Sequence, residues 1–263
     1  MANTVYPNKI IESKAKDLLS TAVNTRTLMT TDDSLTQEAG MTKTINVYTY
    51  SGTAEELAAG AGNSNRGSIS YVGTDYTVKM VQQAFDYFDE DFMKDNTIVD
   101  NMLIGANQVM VNKMTSDFLT ECAKATLKQE FVNGTTISYD VIVDAISKLS
   151  LEDESKIFVV IPLSWKAALR KDEDYKAARM GEVVYNGQVG TIAGIPVIAS
   201  KALDAGNTAY VMTAEAIKLF MKKDVEVEQD RDADHRKNSV YLRTAYVCAL
   251  VDATKICKIT EAA

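Results

Sequence analysis

The residues best suited to chemistry lie in one short charged stretch near the end of the chain. His235 is the only histidine, so any serine or cysteine nucleophile that needs an imidazole base has to use this ring. It follows three aspartates, Asp230, Asp232 and Asp234, whose spacing resembles the opening of a calcium-binding loop. The calcium pattern then requires glycine and glutamate where His235 and Tyr241 stand. We therefore interpret this stretch as a solvated charged turn, and neither as a catalytic site nor as a calcium site.

No other motif predicts a cofactor, a metal or a catalytic centre. Cys122, Cys248 and Cys257 are widely separated and form no Cys-x-x-Cys pair, which is typical of buried thiols in a reducing compartment. The glycines after residue 180 lack the spacing of a nucleotide-binding loop, and a zinc site needs more cysteine and histidine than the chain places together. Asn133–Thr135 formally matches a glycosylation acceptor, but we interpret it as a turn. The sequence therefore predicts a protein that is not an enzyme and has no cofactor.

Composition narrows the class of protein further. The 263 residues are 46% hydrophobic, enough for a large core, and the net charge of -8 comes without any cluster of lysine and arginine. A surface specialised for binding nucleic acid is therefore not expected. Met1 to Ile10 lacks the apolar core of a signal peptide, and no run of eighteen apolar residues occurs. We expect synthesis in the cytoplasm and no membrane span.

The longest predicted element is a helix from Thr97 to about Leu127, in which apolar residues recur every three or four positions. Thr97 with Asp100 predicts a capping box at its start, and Asn133-Gly134 predicts a stop beyond its end. Gly105 inside the helix costs about 1 kcal/mol relative to alanine, so we expect a close neighbour there to offset it. This helix is the spine on which the other elements are expected to pack.

Two alternating segments predict a long hairpin, with strands at Lys43–Tyr50 and Tyr76–Val81. The connecting stretch, Ser51–Asp75, is rich in glycine and polar residues, which predicts a flexible end. An isolated two-stranded ribbon is marginal in water, so we expect this hairpin to lie on another copy of the chain. The candidates for subunit contact at its end are Gly60, Gly62, Arg66 and Gly67.

Acidic and aromatic residues interleave in the next stretch, Phe85–Met93. Their spacing predicts a helix with Phe85, Phe88 and Phe92 buried, and the alternative is an acidic patch that pairs with arginine or lysine of a neighbour. That alternative makes two charged groups candidates for subunit contact, namely Asp86, Asp89 and Glu90 here and Asp230, Arg231 and Asp232 in the late turn.

The two ends of the chain differ in character. Residues 1–40 are polar, with an amphipathic segment at Ile10–Val23 and an extended arm from Thr25 to Glu38 that only contacts elsewhere can order. The second half alternates helical and strand patterns. The predicted helices are Ser138–Leu149, Leu163–Tyr175 and Thr213–Lys222, and the predicted strands are Ile157–Ile161, Ile195–Ala199, Ala209–Met212, Val225–Glu228, Val240–Leu250 and Lys255–Thr260.

This order of elements resembles that of the major capsid proteins of tailed bacteriophages, which have the Hong Kong 97-type fold. The local sequence is similar as well: the glycine-containing loop and strand of Gly187–Ser200, the start of the next segment at Met212–Ile217, and the late strand pair of Val225–Asp232 and Val240–Tyr246. The resemblance spans essentially the whole chain. Each motif alone is weak, and the order of the motifs carries the resemblance.

The resemblance implies an α+β capsid subunit that assembles through pentamers and hexamers into an icosahedral shell of the virion. The shell encloses double-stranded DNA without sequence-specific binding, and scaffold, portal and decoration proteins are possible partners, with no membrane. Some relatives cross-link subunits through a lysine and an asparagine; Lys79 and Asn63 are available here, but nothing in their setting marks them. The implied parts are an N-terminal arm (1–40), an extended hairpin loop (41–84), a peripheral domain with the spine helix (85–133 and 223–250) and an axial domain (134–222 and 251–263).

Three alternatives stay open from the residues alone. A cellular nanocompartment shell of the encapsulin type shares the fold and differs in its cargo. An α/β enzyme is suggested by Ile157–Pro162 and by the glycine-rich loop before Ile195, but no nucleophile stands with a base, and the hairpin is left unexplained. A secreted surface-layer or filament protein is disfavoured by three free cysteines and the lack of an export signal.

Overall fold

The computed structural model describes residues 28–37, 39–95, 97–178, 190–204 and 206–262. The predicted segment Ile10–Val23, most of the N-terminal arm and most of the loop before Gly190 lie outside the described residues. The helices are α1 (Asp89–Lys94), α2 (Ile98–Cys122), α3 (Tyr139–Lys148), α4 (Trp165–Lys171) and α5 (Glu173–Ala178). The strands are β1 (Thr30–Asp32), β2 (Thr42–Ser51), β3 (Ser68–Thr77), β4 (Lys79–Phe88), β5 (Leu127–Phe131), β6 (Ile157–Pro162), β7 (Thr191–Ile192), β8 (Ile195–Ser200), β9 (Thr208–Thr213), β10 (Ile217–Asp232), β11 (Lys237–Leu250) and β12 (Ile256–Glu261).

These strands form three sheets. A four-stranded sheet has the order β1-β10-β11-β4, a six-stranded sheet has the order β5-β12-β9-β6-β8-β7, and β2 pairs only with β3. Helix α2 covers the four-stranded sheet, and α3 and α4 cover one face of the six-stranded sheet. A further apolar core joins the other face of the six-stranded sheet to the four-stranded sheet and to the second half of α2. Two packed layers of sheet and helix thus form the body from which the β2-β3 hairpin extends.

The spine helix is confirmed, with a shorter span and a different start. Helix α2 runs for 25 residues, about 37 Å, and its buried face is the predicted apolar one. Thr97 does not form a capping box; instead the Asp95 carboxylate accepts hydrogen bonds from the Thr97 backbone N–H at 2.8 Å and from its hydroxyl at 2.7 Å. The expectation of a close neighbour at Gly105 is wrong within the described chain, because no atom lies within 4 Å of a Cβ built there.

Several other predicted elements are confirmed. Helix α3 buries Ile142, Ala145 and Ile146, and every residue of β6 is buried. Strands β8, β9 and β11 lie where the sequence predicts strands, and all three cysteines are buried. Asn133-Gly134 forms a turn in which Gly134 has φ of +77°. In these helices and strands the apolar residues have the spacing that buries one face, or the whole segment, against the core.

The predicted helix Thr213–Lys222 is wrong. A turn in which the Ala216 N–H donates to the Thr213 carbonyl leads directly into β10, which pairs with β11 from Ile217 onward. Leu219 and Met221 point into the core between the sheets, while Phe220 packs on the opposite face. The period is therefore two, and the long partner strand decides the conformation of this segment.

The predicted helix across Phe85–Met93 is wrong for its first half. Phe85 to Phe88 belong to β4, and only Asp89–Lys94 is helical. Tyr87 is buried against α2, whereas Phe88 is exposed. A strand places Phe85 and Tyr87 on the same face, toward α2, and this packing overrides the helical spacing of the phenylalanines.

The segment predicted as one helix, Leu163–Tyr175, is two short helices. The break lies at Asp172, whose carboxylate accepts hydrogen bonds from the backbone N–H of Tyr175 at 3.1 Å and from that of Tyr139 at 3.2 Å. Trp165 packs edge-on against Phe131, with ring centroids 5.5 Å apart. The second helix thus begins at a side-chain cap that the sequence pattern does not reveal.

The outer edge of the six-stranded sheet is capped by side chains. Strand β5 pairs with β12 on one side only. On β5 the backbone carbonyl of Lys128 accepts a hydrogen bond from Lys148 Nζ at 2.7 Å, and the carbonyl of Glu130 accepts one from Gln129 Nε2 at 3.4 Å. Side chains therefore occupy acceptors on a strand that lacks a second partner.

Candidate subunit interface

The hairpin leaves the body of the protein at Val78. The predicted pairing of Tyr76–Val81 with the first strand is confirmed only for Tyr76 and Thr77, because the strand ends at Thr77 and Lys79–Val81 belong to β4 in the four-stranded sheet. The Val78 N–H donates to the Met41 carbonyl at 2.7 Å, and the Tyr76 hydroxyl donates to the Leu250 carbonyl at 3.2 Å. Both side chains are buried with Phe220, so the root of the hairpin is fixed to the body.

Beyond this root the hairpin exposes apolar side chains on both faces. Tyr48 and Tyr71 are directly opposite each other, with ring centroids 5.9 Å apart, and each is about two-thirds exposed. On the other face Val47 lies opposite Val72, which is 71% exposed. Soluble monomers rarely expose contiguous apolar surface of this kind. Covering either face of the ribbon with another surface is therefore favourable in free energy.

The predicted contact residues at the end of the hairpin are exposed. Gly60 has φ of +89°, and the space above Gly60 and Gly62 is open. Arg66 is exposed and forms no ion pair with any residue that the structure describes. A Cβ on Gly67 would meet the Tyr50 ring, so the glycine leaves room for that exposed side chain.

The acidic residues after the hairpin behave differently from the predicted interface. Their partners are bases of the same chain, on the turn between β10 and β11. Asp86 pairs with Lys237 at 2.8 Å, Asp89 with Arg231 at 3.1 Å and Glu90 with Arg236 at 2.6 Å, so four of the six charged candidates, including Arg231, point to a cluster within the subunit. Lys237 as hydrogen-bond donor, followed by the Ser239 hydroxyl, lowers the pKa of Asp86 below its usual 3.8, and Asp86 raises the pKa of Lys237. We call these six paired side chains, three acids and three bases, the charged cluster.

The remaining candidates, Asp230 and Asp232, lie at the end of β10, next to the turn that leads into β11. The Asp232 carboxylate accepts backbone hydrogen bonds from Asp234 and His235, and its Oδ2 lies 2.7 Å from His235 Nδ1. The backbone N–H of His235 is the first cause of the lowered pKa of Asp232. Asp230 is exposed and forms no ion pair with the described part of the chain. Within the described ranges, no three His, Cys, Asp or Glu side chains are grouped to hold a metal ion.

A cavity of about 170 Å³ lies where the hairpin root meets α2 and β11. Its polar groups already have partners: the Tyr246 hydroxyl donates to Asp117 at 3.0 Å, and Lys113 pairs with the same carboxylate at 2.8 Å. Burial raises the pKa of Tyr246, and burial followed by the Asp117 charge raises that of Cys248 to about 12. A thiol with that pKa stays protonated at neutral pH, so Cys248 is not an activated nucleophile.

Sequence reasoning missed the aromatic face of the hairpin as a contact surface. Tyr48 and Tyr50 alternate in the first predicted strand, so they lie on one face of it. Tyr71 lies opposite Tyr48 on the paired strand and therefore belongs to the same face of the hairpin. Tyrosine is also a residue type enriched where protein surfaces meet. The candidates chosen from the sequence were glycines and charges instead.

Comparison with known proteins identifies relatives along most of the chain. A family model described as "Phage capsid protein" matches residues 70–259. The major capsid protein of Staphylococcus phage phiMR11 is 27% identical over 247 residues, covering 88% of this chain and 84% of that protein. The family match includes the spine helix and most of both larger sheets, and it leaves out β1.

Solved structures are similar at lower identity. The capsid structure of the cyanophage P-SCSP1u superimposes with a TM-score of 0.70 at 11% identity, covering 89% of this chain and 86% of that chain. A virus-like particle from Pyrococcus furiosus gives a TM-score of 0.67 at 12% identity, covering 97% of this chain and 100% of that chain. At these identities the likeness shows the fold, and it confirms the predicted α+β architecture of the Hong Kong 97 type.

Proposed function

This chain belongs to the phage capsid protein family, and we propose that it is a major capsid protein that assembles through pentamers and hexamers into an icosahedral shell around double-stranded DNA. The observation that carries the proposal is the hairpin, which exposes apolar side chains on both faces. A lone two-stranded ribbon is marginal in water and gains stability when it packs on another surface. Another copy of the same chain supplies that surface in every subunit.

The geometry of the hairpin suits closed assembly. It leaves the body from a fixed root, so its apolar faces and the surface that receives them lie on different parts of the subunit. Such a contact is heterologous, and a heterologous contact closes into a ring when its rotation divides a full turn. Pentamers and hexamers are rings of this kind, and slightly different rotations allow both.

We propose roles for the parts of the chain on the same basis. Residues 1–40 act as the arm, 41–84 as the extended hairpin loop, 85–133 with 223–250 as the peripheral domain, and 134–222 with 251–263 as the axial domain. The sheets support moving two boundaries, because the hairpin ends at Thr77 and β5 pairs with β12 of the last segment. The axial domain then corresponds to the six-stranded sheet with its helices.

The partners proposed beyond the chain itself are packaged DNA, and scaffold, portal and decoration proteins. An acidic subunit with net charge -8 repels phosphate, which suits a container whose DNA has to remain free to leave. None of the helices described is long and apolar enough to cross a membrane. We propose a structural and non-catalytic role in the virion, after synthesis in the host cytoplasm.

A shell with a different content is the alternative that shares this fold. The likeness to the virus-like particle from Pyrococcus furiosus covers nearly all of both chains. An encapsulin-type nanocompartment shares the backbone and differs in enclosing a protein cargo. Recovery of one co-purifying enzyme inside the shells, in place of DNA, would favour this alternative.

The proposal is tested by expressing the chain alone and together with the products of neighbouring genes. Sedimentation velocity and negative-stain microscopy are expected to show pentamers, hexamers or closed shells. A monomer under all of these conditions would overturn the proposal. A variant shortened between Gly60 and Gly67 is expected to remain folded and to assemble poorly, because it loses the end of the hairpin while the root stays intact.

A further inference from the structure

The loop at the end of the hairpin is ordered although it has no core. Every residue from Gly52 to Gly67 is exposed except Asn65, which is half-buried. Fixing a backbone conformation costs entropy at each residue, and a loop without buried apolar contacts ordinarily stays disordered. The sequence predicts a flexible end for this reason. Polar contacts across the loop are therefore what holds its shape.

One carboxylate supplies most of these contacts. Glu55 Oε2 accepts hydrogen bonds from the backbone N–H of Ser64 at 3.0 Å and of Asn65 at 3.2 Å, and Glu55 Oε1 accepts one from the Ser64 hydroxyl at 3.1 Å. Hydrogen bonds to an ionised acceptor are stronger than those between neutral groups. Glu55 thus ties the outgoing side of the loop to the returning side.

Asn65 forms the second half of this brace. Its Nδ2 donates to the Thr53 carbonyl at 2.8 Å and also contacts the Thr53 hydroxyl. Its own backbone N–H, besides bonding Glu55, donates to Asn63 Oδ1 at 2.8 Å. Just below, the Ser51 and Ser68 hydroxyls are 2.7 Å apart. Side-chain contacts therefore cross the loop at two positions beyond this last strand pair, one through Glu55 and one between Thr53 and Asn65.

Beyond the brace lies an apex of small apolar residues, Leu57–Gly62. A turn closes it, with the Ala61 N–H donating to the Ala58 carbonyl at 3.0 Å and Gly60 at a φ of +89°. Leu57 is 45% exposed, and a Cβ on Gly60 or Gly62 would meet no atom of the subunit. The apex is a compact apolar projection with room for a surface to approach it closely.

We infer that Glu55 is a positioning residue that holds this apex, before any contact with another copy of the chain, in the shape in which it binds. The inference rests on the proposed function, since it names the part of the hairpin that seats on the neighbour. A loop that is ordered before contact loses less entropy when it binds, which strengthens association.

The charge of the apex indicates the partner. Between Glu56 and Arg66 the loop has no ionisable side chain, so it offers nothing to attract phosphate and nothing to repel an acidic protein. A nucleic acid is therefore a poor partner. Another copy of this acidic chain meets an uncharged projection without electrostatic penalty, and the small residues allow its surface to come close.

The test compares the wild type with Glu55→Ala and with Glu56→Ala as the matched control. Both variants remove one carboxylate from adjacent positions, but only Glu55 bonds across the loop. In the unassembled chain, Glu55→Ala is expected to speed amide hydrogen exchange at Ser64 and Asn65 at least tenfold. It is also expected to raise the chain concentration needed for assembly by about tenfold. Glu56→Ala is expected to change neither quantity.

Two further variants separate positioning from contact. Glu55→Gln retains one oxygen acceptor and is expected to recover part of both effects, whereas Leu57→Ser is expected to weaken assembly with exchange at Ser64 and Asn65 unchanged. Assembly of Glu55→Ala at the wild-type concentration overturns the inference alone, as does an equal loss in Glu56→Ala. A wild type that forms neither capsomers nor shells overturns the proposed function, and this inference with it.

Discussion

The hairpin and the charged cluster are two regions that sequence reasoning treats alike and the structure separates. Both contain residues typical of subunit contacts. In the charged cluster, each acid has a base of the same chain within 3.1 Å. In the hairpin, tyrosine and valine side chains remain at least half exposed on both faces. One region is complete within the subunit, and the other is not.

The difference teaches what identifies a contact surface. A charged side chain finds a partner wherever the fold brings one near, even when Arg231 comes 142 positions after Asp89. Burying an exposed apolar side chain is favourable because water is removed from it, and no residue that the structure describes covers the exposed apolar side chains of the hairpin. A surface for assembly is therefore recognised by the apolar side chains that the folded subunit leaves exposed, more than by its residue types.

The largest expected effect is that of a charge placed on the hairpin. Val72→Asp is expected to leave the subunit folded, because Val72 is 71% exposed. A carboxylate buried at a contact without a partner costs several kcal/mol, so assembly should weaken about a thousandfold. Sedimentation velocity measures this loss. Val72→Thr is the control that keeps the branched shape, and normal shells from Val72→Asp would show that this face is not covered.

Removing an acid from the charged cluster is expected to destabilise the subunit, whereas a charge on the hairpin is expected to weaken assembly and leave the subunit folded. Asp89→Ala leaves the buried Asn238 amide and the Arg231 guanidinium without an acceptor, which should lower the free energy of unfolding by about 1–3 kcal/mol. Asp230→Ala, on the same turn and without an ion pair to any described residue, should stay within about 0.5 kcal/mol. Urea unfolding measures both. Unchanged stability with failed assembly in Asp89→Ala would make the cluster an interface after all.

The exposed face of the spine helix offers a third surface for the same comparison. Gly105→Ala is expected to stabilise the subunit by about 1 kcal/mol, because alanine favours helix and the space above Gly105 is open. Thermal unfolding should show the gain, and the concentration needed for assembly should not change. A loss of assembly in this more stable variant would place the face around Gly105 among the covered surfaces, together with the hairpin.

The smallest expected effect is the contribution of the charged cluster to the pH dependence of stability. Hydrogen bonds from Lys237 and then Ser239 lower the pKa of Asp86 below 3.8, so their stabilising effect is present above that value and is lost as the pH falls through the lowered pKa. Urea unfolding of the wild type between pH 7 and about pH 3 should therefore show a shallow decline that Asp86→Asn flattens. An identical slope in both proteins would contradict this assignment.

The elements that sequence predicts well are those whose pattern has one physical solution. Helix α3 follows from apolar residues three and four apart, and β6 follows from a short apolar run that ends at Pro162. The spine helix is predicted for the same reason over most of its length. In each case one face, or the whole segment, has to be buried, and only one periodicity achieves that.

The two misassigned segments share a neighbour, which explains both errors. Phe85–Phe88 and Ile217–Lys222 each contain apolar residues that fit a period of two as well as one of 3.6. Both lie beside β11, with Phe85 opposite Val240 and Ile217 opposite Leu250. Because β11 pairs along its length with both β10 and β4, both neighbouring segments adopt the strand conformation. Local spacing alone does not contain that information.

For the candidate interface, the sequence predicts the hairpin. It predicts neither the ion-pair partners of the acidic residues nor the ordered conformation of the hairpin end. The sequence offers pairing of the acidic residues with a neighbouring subunit only as an alternative, and it does not show that Arg231 and Lys237, far along the chain, pair with Asp89 and Asp86. The flexible end was expected because glycine and polar residues usually lack a core. Three hydrogen bonds to Glu55 replace that core, and sequence spacing does not show which acceptor meets which amide.

The capped outer edge of β5 has a consequence for the fidelity of the product. A protein made in many copies and concentrated at one place multiplies every open strand edge, and each such edge is a template for fibres that compete with closed particles. Lys148 and Gln129 occupy backbone acceptors on β5, so a stray strand meets an amine or an amide before it meets the carbonyls. We therefore expect these two side chains to raise the yield of correct particles by keeping strand addition at β5 from starting.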